Sequence, residues 1–251
     1  MVIDLNSRRK TPMSFSSLWH PAGVALPFDS AKDADTILPE IRNRIVTGTY
    51  SAELLQTLGE TVRPADRVLV IGAGLGTAST LAARSPGVAR VIAVEPNSEL
   101  CPYLARTHEL NGVPWVETIN AVLVSGLLGR VPFFARHDVR LSSLLPDECS
   151  WQLAMMVVCM DINLILAEER ISLLVCEVPS GAAGILATAD LSRVDRVVVG
   201  SGDDTLTLAE MGEVIRLLEE KGFAAEAGGS TVWFGRIALG GEIRLHATDS
   251  A

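Results

Sequence analysis

Val68-Leu69-Val70-Ile71-Gly72-Ala73-Gly74-Leu75-Gly76-Thr77 opens the most informative unit of the chain, and Val91-Ile92-Ala93-Val94-Glu95-Pro96-Asn97 closes it. One apolar run stops in three alternating glycines, and the other stops in a lone acid. Runs this short, bounded by turn residues, read as buried parallel strands. Thr77 to Ser85 has the Ala and Leu content of a helix, closed by Pro86-Gly87. The unit is therefore strand, glycine loop, helix, strand and acid. An α/β sheet presents a nucleotide-like cofactor in this way, at the carboxyl ends of its strands.

Two cofactor classes use such a start, and glycine spacing separates them. The nicotinamide and flavin fingerprint is G-x-G-x-x-G, whose last glycine lets helix and strand pack closely. Here the third glycine arrives one residue early, and Thr77 holds the place the fingerprint reserves for glycine. A pyrophosphate needs the helix amides clear at that point. S-adenosyl-L-methionine has no phosphate and tolerates a different turn. Its methionine end would lie along Gly72, Gly74 and Gly76, while Glu95 would accept hydrogen bonds from both ribose hydroxyls, a task suited to a carboxylate. The constellation predicts a methyl-donor site.

Outward from this unit, residues 1 to about 36 hold few periodic apolar positions and read as an extended arm. Phe15, Trp19 and Phe28 suggest that the arm packs on the body. Ile37 to Ile45 has helical spacing and stops at Thr47-Gly48, and a second helix starts behind Ser51, whose hydroxyl is expected to cap it. Arg63-Pro64-Ala65-Asp66 turns the chain into the first strand. The division expected is an arm with helices over 1–62, acting as a cap or lid, and a cofactor-binding domain over 63–251. After the opening unit, Cys101 to Asn111 reads as a helix ended by Asn111-Gly112. Val116 to Val124 reads as one strand whose start Trp115 seals, and Leu127 to Phe134 as a turn and an edge strand, because proline is tolerated there. Met155–Met160, Leu173–Val178 and Arg196–Gly200 read as further strands, with helices over Ile162–Glu169, to about Leu191, and over Leu208–Lys221. Phe223–Glu226 and Thr231–Ile237 read as a terminal hairpin. The sum is a three-layer Rossmann-like sheet of seven strands, mostly parallel, with helices on both faces. A terminal antiparallel hairpin is characteristic of methyltransferase sheets, whereas dinucleotide domains continue in parallel.

Composition excludes several classes. With 48% hydrophobic and 20% charged residues the chain is globular, and its net charge of −9 argues against unspecific binding to nucleic acid or anionic membrane. Mean hydropathy is positive, but the greasiest stretch, Leu153 to Ala167, is interrupted by Asp161 and Asn163 and is too short to span a bilayer. Met1 to Lys10 holds Asp4 and three basic residues with no apolar run after them, so no signal peptide is expected. Cys101, Cys149, Cys159 and Cys176 are scattered and have no histidine at ligand spacing, which predicts free thiols in a reducing cytoplasm and no metal. Oligomeric state stays open, a homodimer included.

From about Ile41 to Ile237 the chain resembles the FkbM-type S-adenosylmethionine-dependent methyltransferases. The resemblance runs through Gly48-Thr49-Tyr50, Asp66 to Gly76, Val94-Glu95-Pro96-Asn97, Leu110 to Val113, Asn120-Ala121, and Asp161 through Gly181. It implies the class I methyltransferase fold and transfer to a hydroxyl oxygen of a small metabolite, sugar or natural product. The cofactor site implied consists of Tyr50, Gly72, Ala73, Gly74, Gly76, Glu95, Pro96, Asn120 and Ala121, the last two flanking the adenine. Two places depart from the pattern. Val70 stands where the family has an acid that steadies the cofactor's amino-acid end, so Glu53, Tyr50 or a loop amide would take that task. Pro179-Ser180-Gly181-Ala182-Ala183 lacks the two further acids that usually follow the Glu177 strand. A catalytically silent cofactor-binding subunit is the alternative reading.

Glu177, where a strand should open into the cleft, is the candidate general base for a hydroxyl acceptor; capping the next helix or binding an arginine is the competing role. His137 and Asp138 sit in a long loop expected, with the arm, to roof the cleft. His20 is either part of that lid or packing. His108 and His246 attract no role, Met155, Met156 and Met160 read as core, and Asp203-Asp204 reads as helix caps.

Overall fold

The computed structural model describes residues 17–29, 32–126, 128–144, 146, 151–178, 181–200, 207–228 and 231–236. It opens with a hairpin of β1 (Ser17–His20) and β2 (Val24–Pro27), followed by helices α1 (Pro39–Thr47) and α2 (Ala52–Thr61). The central unit is β3 (Arg67–Ile71), α3 (Thr77–Arg84), β4 (Arg90–Val94), α4 (Cys101–Leu110) and β5 (Glu117–Ile119). An inserted part holds β6 (Val122–Val124), β7 (Gly129–Ala135) and β8 (Leu153–Asp161). The chain then completes α5 (Ile162–Glu168), β9 (Leu173–Cys176), α6 (Ala182–Thr188), β10 (Arg196–Gly200), α7 (Leu208–Glu220), β11 (Phe223–Gly228) and β12 (Thr231–Arg236). The main sheet has seven strands in the order β11-β12-β10-β9-β3-β4-β5. Only β12 runs against the other six strands: it lies antiparallel between β11 and β10. This is the three-layer Rossmann-like α/β architecture, with its terminal hairpin, that the sequence predicts.

Period-two alternation builds the layers. In β3, Leu69 and Ile71 pack on one face with Leu186 of α6 and Val214 and Leu218 of α7. Val68 and Val70 pack on the other with Leu54, Leu55 and Leu58 of α2, and with α3 and Leu104 of α4. Helix α2 thus shares a core with the sheet. At the amino ends of the strands, buried Asp66 and Arg196 form a two-bond ion pair at 2.5 and 3.1 Å. Ser172 Oγ and the Arg63 amide also donate to Asp66, so the strand starts are tied together.

Four local expectations need correction. Val116–Val124 is two strands in different sheets: β5 pairs with β4, whereas β6 pairs with β8. Asn120-Ala121 turns the chain between them, and Trp115 is exposed. Trp19 is 63% exposed, whereas Phe28 packs as expected, on a core that Leu18 and Leu26 of the arm form with Ile41, Ile45 and Tyr103. Asn111 clamps β2 by bonding both the amide and the carbonyl of Ala25. Met156 is 56% exposed rather than core. Finally, Ser51 makes no capping bond and adopts a left-handed conformation at φ 48°. Phe15, Cys149, His246, Asp203-Asp204 and Pro179-Ser180 lie outside the described residues.

The inserted strands form a separate three-stranded sheet, β6-β8-β7. Its open edge is β7, where Phe134 exchanges both backbone bonds with Ser143 and Pro132 stands mid-strand. Among the described residues no helix is long and apolar enough to cross a membrane.

Candidate functional site

The glycine loop is shaped by three left-handed residues: Gly72, Gly74 and Gly76 have φ of 78°, 51° and 88°. Their spatial reasons differ. A Cβ on Gly72 would fall 2.2 Å from the Glu177 carbonyl oxygen, so the first glycine lets the loop pass against the end of β9. A Cβ on Gly76 would fall 2.5 Å from Leu104 Cδ1, so the third glycine lets α3 meet α4. Gly74 has nothing nearer than 3.9 Å; its conformation aims its amide at Glu95. The Gly72 and Ala73 amides both donate to the Val94 carbonyl at 3.0 Å, which sets the loop across β4.

Glu95 follows β4 and is buried. Its Oε2 accepts the Gly74 amide and its Oε1 the Asn97 amide, each at 2.8 Å. Burial pushes its carboxyl up to about 7, against the pull of the Asn97 and Gly74 amides. Each oxygen makes one of these bonds, and a carboxylate oxygen accepts about two, so the acid can still serve a pair of hydroxyls.

A cavity opens over this loop at the carboxyl ends of β3 and β4. Tyr50, Gly72, Ala73, Gly74, Glu95, Pro96, Ala121 and Glu177 line it. Two of the predicted residues, Gly76 and Asn120, are not among those that line it. Gly76 packs against α4, and Asn120 donates its side-chain amide to the carbonyls of Glu95 and Pro96 at 2.9 and 2.8 Å, holding the turn that carries the acid. Val70 is fully buried and Glu53 is exposed away from the cavity, which leaves Tyr50 as the side chain from the α1–α2 junction on the wall.

Glu177 faces the glycine loop from the end of β9. Its Oε1 accepts a 2.6 Å hydrogen bond from Ser51 Oγ. The residue is partner to this serine rather than a helix cap, and Gly181 occupies the cap position of α6. A buried, non-glycine residue in left-handed backbone beside a cleft acid is a strained position of the kind that accompanies functional sites.

Other candidates resolve differently. Arg140 lines the cavity and is gripped by Asp138, whose oxygens accept from Nε at 2.9 Å and Nη2 at 2.5 Å. Burial would raise the Asp138 carboxyl, but the bonds and charge of Arg140 hold it below its usual range. His137 is exposed and bonds Gln152. His20 is buried beneath the hairpin and accepts the Ala22 amide; it does not line the cavity. His108 bridges to Ser79 Oγ at 2.9 Å between α4 and α3, and burial pushes it down to about 4. The long loop does line the cavity, through Val139, Arg140, Ser142, Ser143 and Leu144, whereas reading by sequence missed the wall supplied by Leu123, Phe133 and Ile185. Their only sequence signal is membership of apolar runs, which core residues share.

No protein-family model matches the chain, and no curated protein matches it. Solved structures with a similar fold include ribosomal protein L11 methylase from Lactobacillus delbrueckii subsp. bulgaricus, 13% identical over 73% of this chain and 76% of that one, with a TM-score of 0.47. Precorrin-6y C5,15-methyltransferase from Geobacter metallireducens GS-15 is 13% identical over 73% and 84%, at 0.45. Magnesium protoporphyrin IX methyltransferase from Synechocystis PCC 6803, solved with bound SAM, is 12% identical over 84% and 98%, at 0.43. At these values the fold rests on the strand order and pairing above.

Proposed function

We propose that the chain is an S-adenosylmethionine-dependent methyltransferase of the FkbM type that methylates a hydroxyl oxygen on a small molecule, with Glu177 as general base. The observation carrying this reading is that Glu95 and Glu177 line one cavity whose floor is a left-handed glycine loop. The residues fit the cofactor. Gly74 leaves room for close backbone approach, Glu95 is held by two amides with acceptor capacity left for a ribose diol, and Tyr50, Gly72, Ala73, Pro96 and Ala121 complete the wall. Gly76 and Asn120 act from outside the lining, one by letting α4 pack and the other by fixing the Glu95 turn. When bound, the cofactor supplies an electrophilic methyl group that the acceptor oxygen takes by in-line displacement, a reaction that needs mainly proximity and orientation. Glu177 would receive the hydroxyl proton, and Ser51 holds that carboxylate in place. The scattered free cysteines support a cytoplasmic setting.

Calorimetric titration with S-adenosylhomocysteine tests the cofactor half, and a methyl-transfer screen over hydroxyl compounds tests the catalytic half. In the screen, Glu177→Gln should cut turnover by about 10²–10⁴-fold. No binding of either cofactor form would sink the assignment. Buried Val70, in place of the supporting acid, favours a second reading: a cofactor-binding subunit without turnover. Tight binding with no transfer to any acceptor would select it.

A further inference from the structure

The cavity has two unlike walls. The glycine-loop side offers backbone amides and the Glu95 carboxylate. A second part of the lining is made by Leu123, Phe133, Val139, Leu144 and Ile185, drawn from β6, β7, the 139–144 segment and α6, together with Val178, which packs beside Gly72 after the end of β9. All six side chains are apolar. The polar side chains among them are already engaged within the protein: Arg140 by Asp138, Ser142 Oγ by the Arg136 amide at 3.1 Å, and Ser143 Oγ by Arg136 Nη1 at 3.1 Å. Among the described lining residues Arg140 is the one cation, and its pairing with Asp138 offsets the charge that would recruit a phosphate or carboxylate. Glu177 lines the cavity as well, its Oε1 accepting from Ser51 Oγ, and a carboxylate oxygen accepts about two hydrogen bonds, so it can also take one from an acceptor hydroxyl.

We infer that the methyl acceptor is an alcohol or phenol with an uncharged, apolar body, anchored through a single hydroxyl at Glu177, and that polyhydroxylated or phosphorylated acceptors are excluded. The inference rests on the methyltransferase reading above and narrows its acceptor. Desolvating each further hydroxyl of a sugar against this wall leaves it without a partner, which lowers affinity roughly tenfold or more per group. An aromatic or aliphatic body buries the same wall favourably. Leu144 lines the cavity and is still 40% exposed, so the apolar wall continues to the rim and accepts a body longer than the cavity is deep.

The test uses the full chain loaded with S-adenosylhomocysteine and compares 2-naphthol, methyl α-glucoside and adenosine 5′-monophosphate by calorimetry. The expected result is that 2-naphthol binds at least tenfold more tightly than either polar probe. Leu144→Glu, a change at an exposed rim position, should weaken 2-naphthol about tenfold while S-adenosylhomocysteine affinity, which also reports correct folding, stays at the parent value. Equal or tighter binding of the glucoside or the nucleotide overturns the inference. So does naphthol binding indifferent to Leu144→Glu, which would place the probe on the exposed face of β8. Failure to load with S-adenosylhomocysteine overturns the methyltransferase reading itself, a result distinct from loading followed by the wrong preference.

Discussion

The hydroxyl of Ser51 donates to Glu177 Oε1 at 2.6 Å across 126 positions of sequence, from a residue held at φ 48°. Two costs meet at this position. Left-handed backbone disfavours any residue with a Cβ, while a hydrogen bond to a carboxylate stabilises by about 1.5–3 kcal/mol. Ser51→Ala keeps the strain and loses the bond, so it should destabilise by about 1–2 kcal/mol. Ser51→Gly loses both and should cost less than half of that. Urea unfolding of the two variants separates the contributions; equal losses would show that the strain is absent in solution.

On the proposed reading, Glu95 should make affinity for the cofactor depend on pH. Its carboxyl lies near 7 rather than 4.5 because of burial. Hydroxyl donors favour the charged form, so binding must expel a proton below about pH 7, and affinity for S-adenosylhomocysteine should fall up to about tenfold per unit as pH drops. Glu95→Gln should flatten that slope, and Glu95→Ala should cost about 2–3 kcal/mol of affinity at pH 8. Titrations between pH 6 and 8 check both expectations.

His108 and Glu95 should bend the stability of the unliganded protein in opposite directions. His108 sits near 4 when folded and at 6.5 when unfolded, so the unfolded chain binds the extra proton and stability falls as pH drops through 6.5 towards 4. Glu95 keeps its proton in the folded state up to about 7, so stability falls as pH rises from 4.5 to 7. Each slope approaches about 1.4 kcal/mol per pH unit, and the two windows overlap. Urea midpoints should therefore look nearly flat between pH 5 and 6 in the parent. They should rise with pH in Glu95→Gln.

Gly76 should show a divisible penalty. Gly76→Ala meets Leu104 Cδ1 and also places a Cβ at φ 88°. Pairing it with Leu104→Ala removes the collision but leaves the backbone term of about 1–2 kcal/mol. The double-variant cycle should give a favourable coupling; strict additivity would mean that α4 shifts freely.

What could be read in advance was local. The glycine spacing, the acid at the end of β4, the short apolar strands and the terminal hairpin each lie within a few residues of their own signals. The break at Asn120-Ala121 was hidden because β5 and β6 share one apolar pattern, and only the partners β4 and β8 separate them. The Ser51 bond was hidden because helix capping explains a serine at that position equally well, and its true partner is a residue of β9's end. The apolar wall was hidden for a general reason: Phe133 and Leu123 look alike in sequence whether they fill a core or face a ligand.

Pro132 has a consequence for how the molecule behaves among its copies. Backbone groups along an antiparallel strand point alternately to either side. Since Phe134 turns its amide and carbonyl away from β8 to Ser143, the residue two positions earlier turns the same way, and proline has no amide hydrogen to offer there. The open edge of β7 is thus a poor template for a neighbouring strand, a safeguard that matters because Met156 and Val158 of the adjoining strand are exposed apolar residues. Pro132→Thr should leave the monomer's fold intact and increase turbidity on concentration, followed by light scattering at matched protein levels. At the β7 edge, then, the inserted sheet can keep apolar residues on its surface because proline discourages strand-to-strand recruitment there.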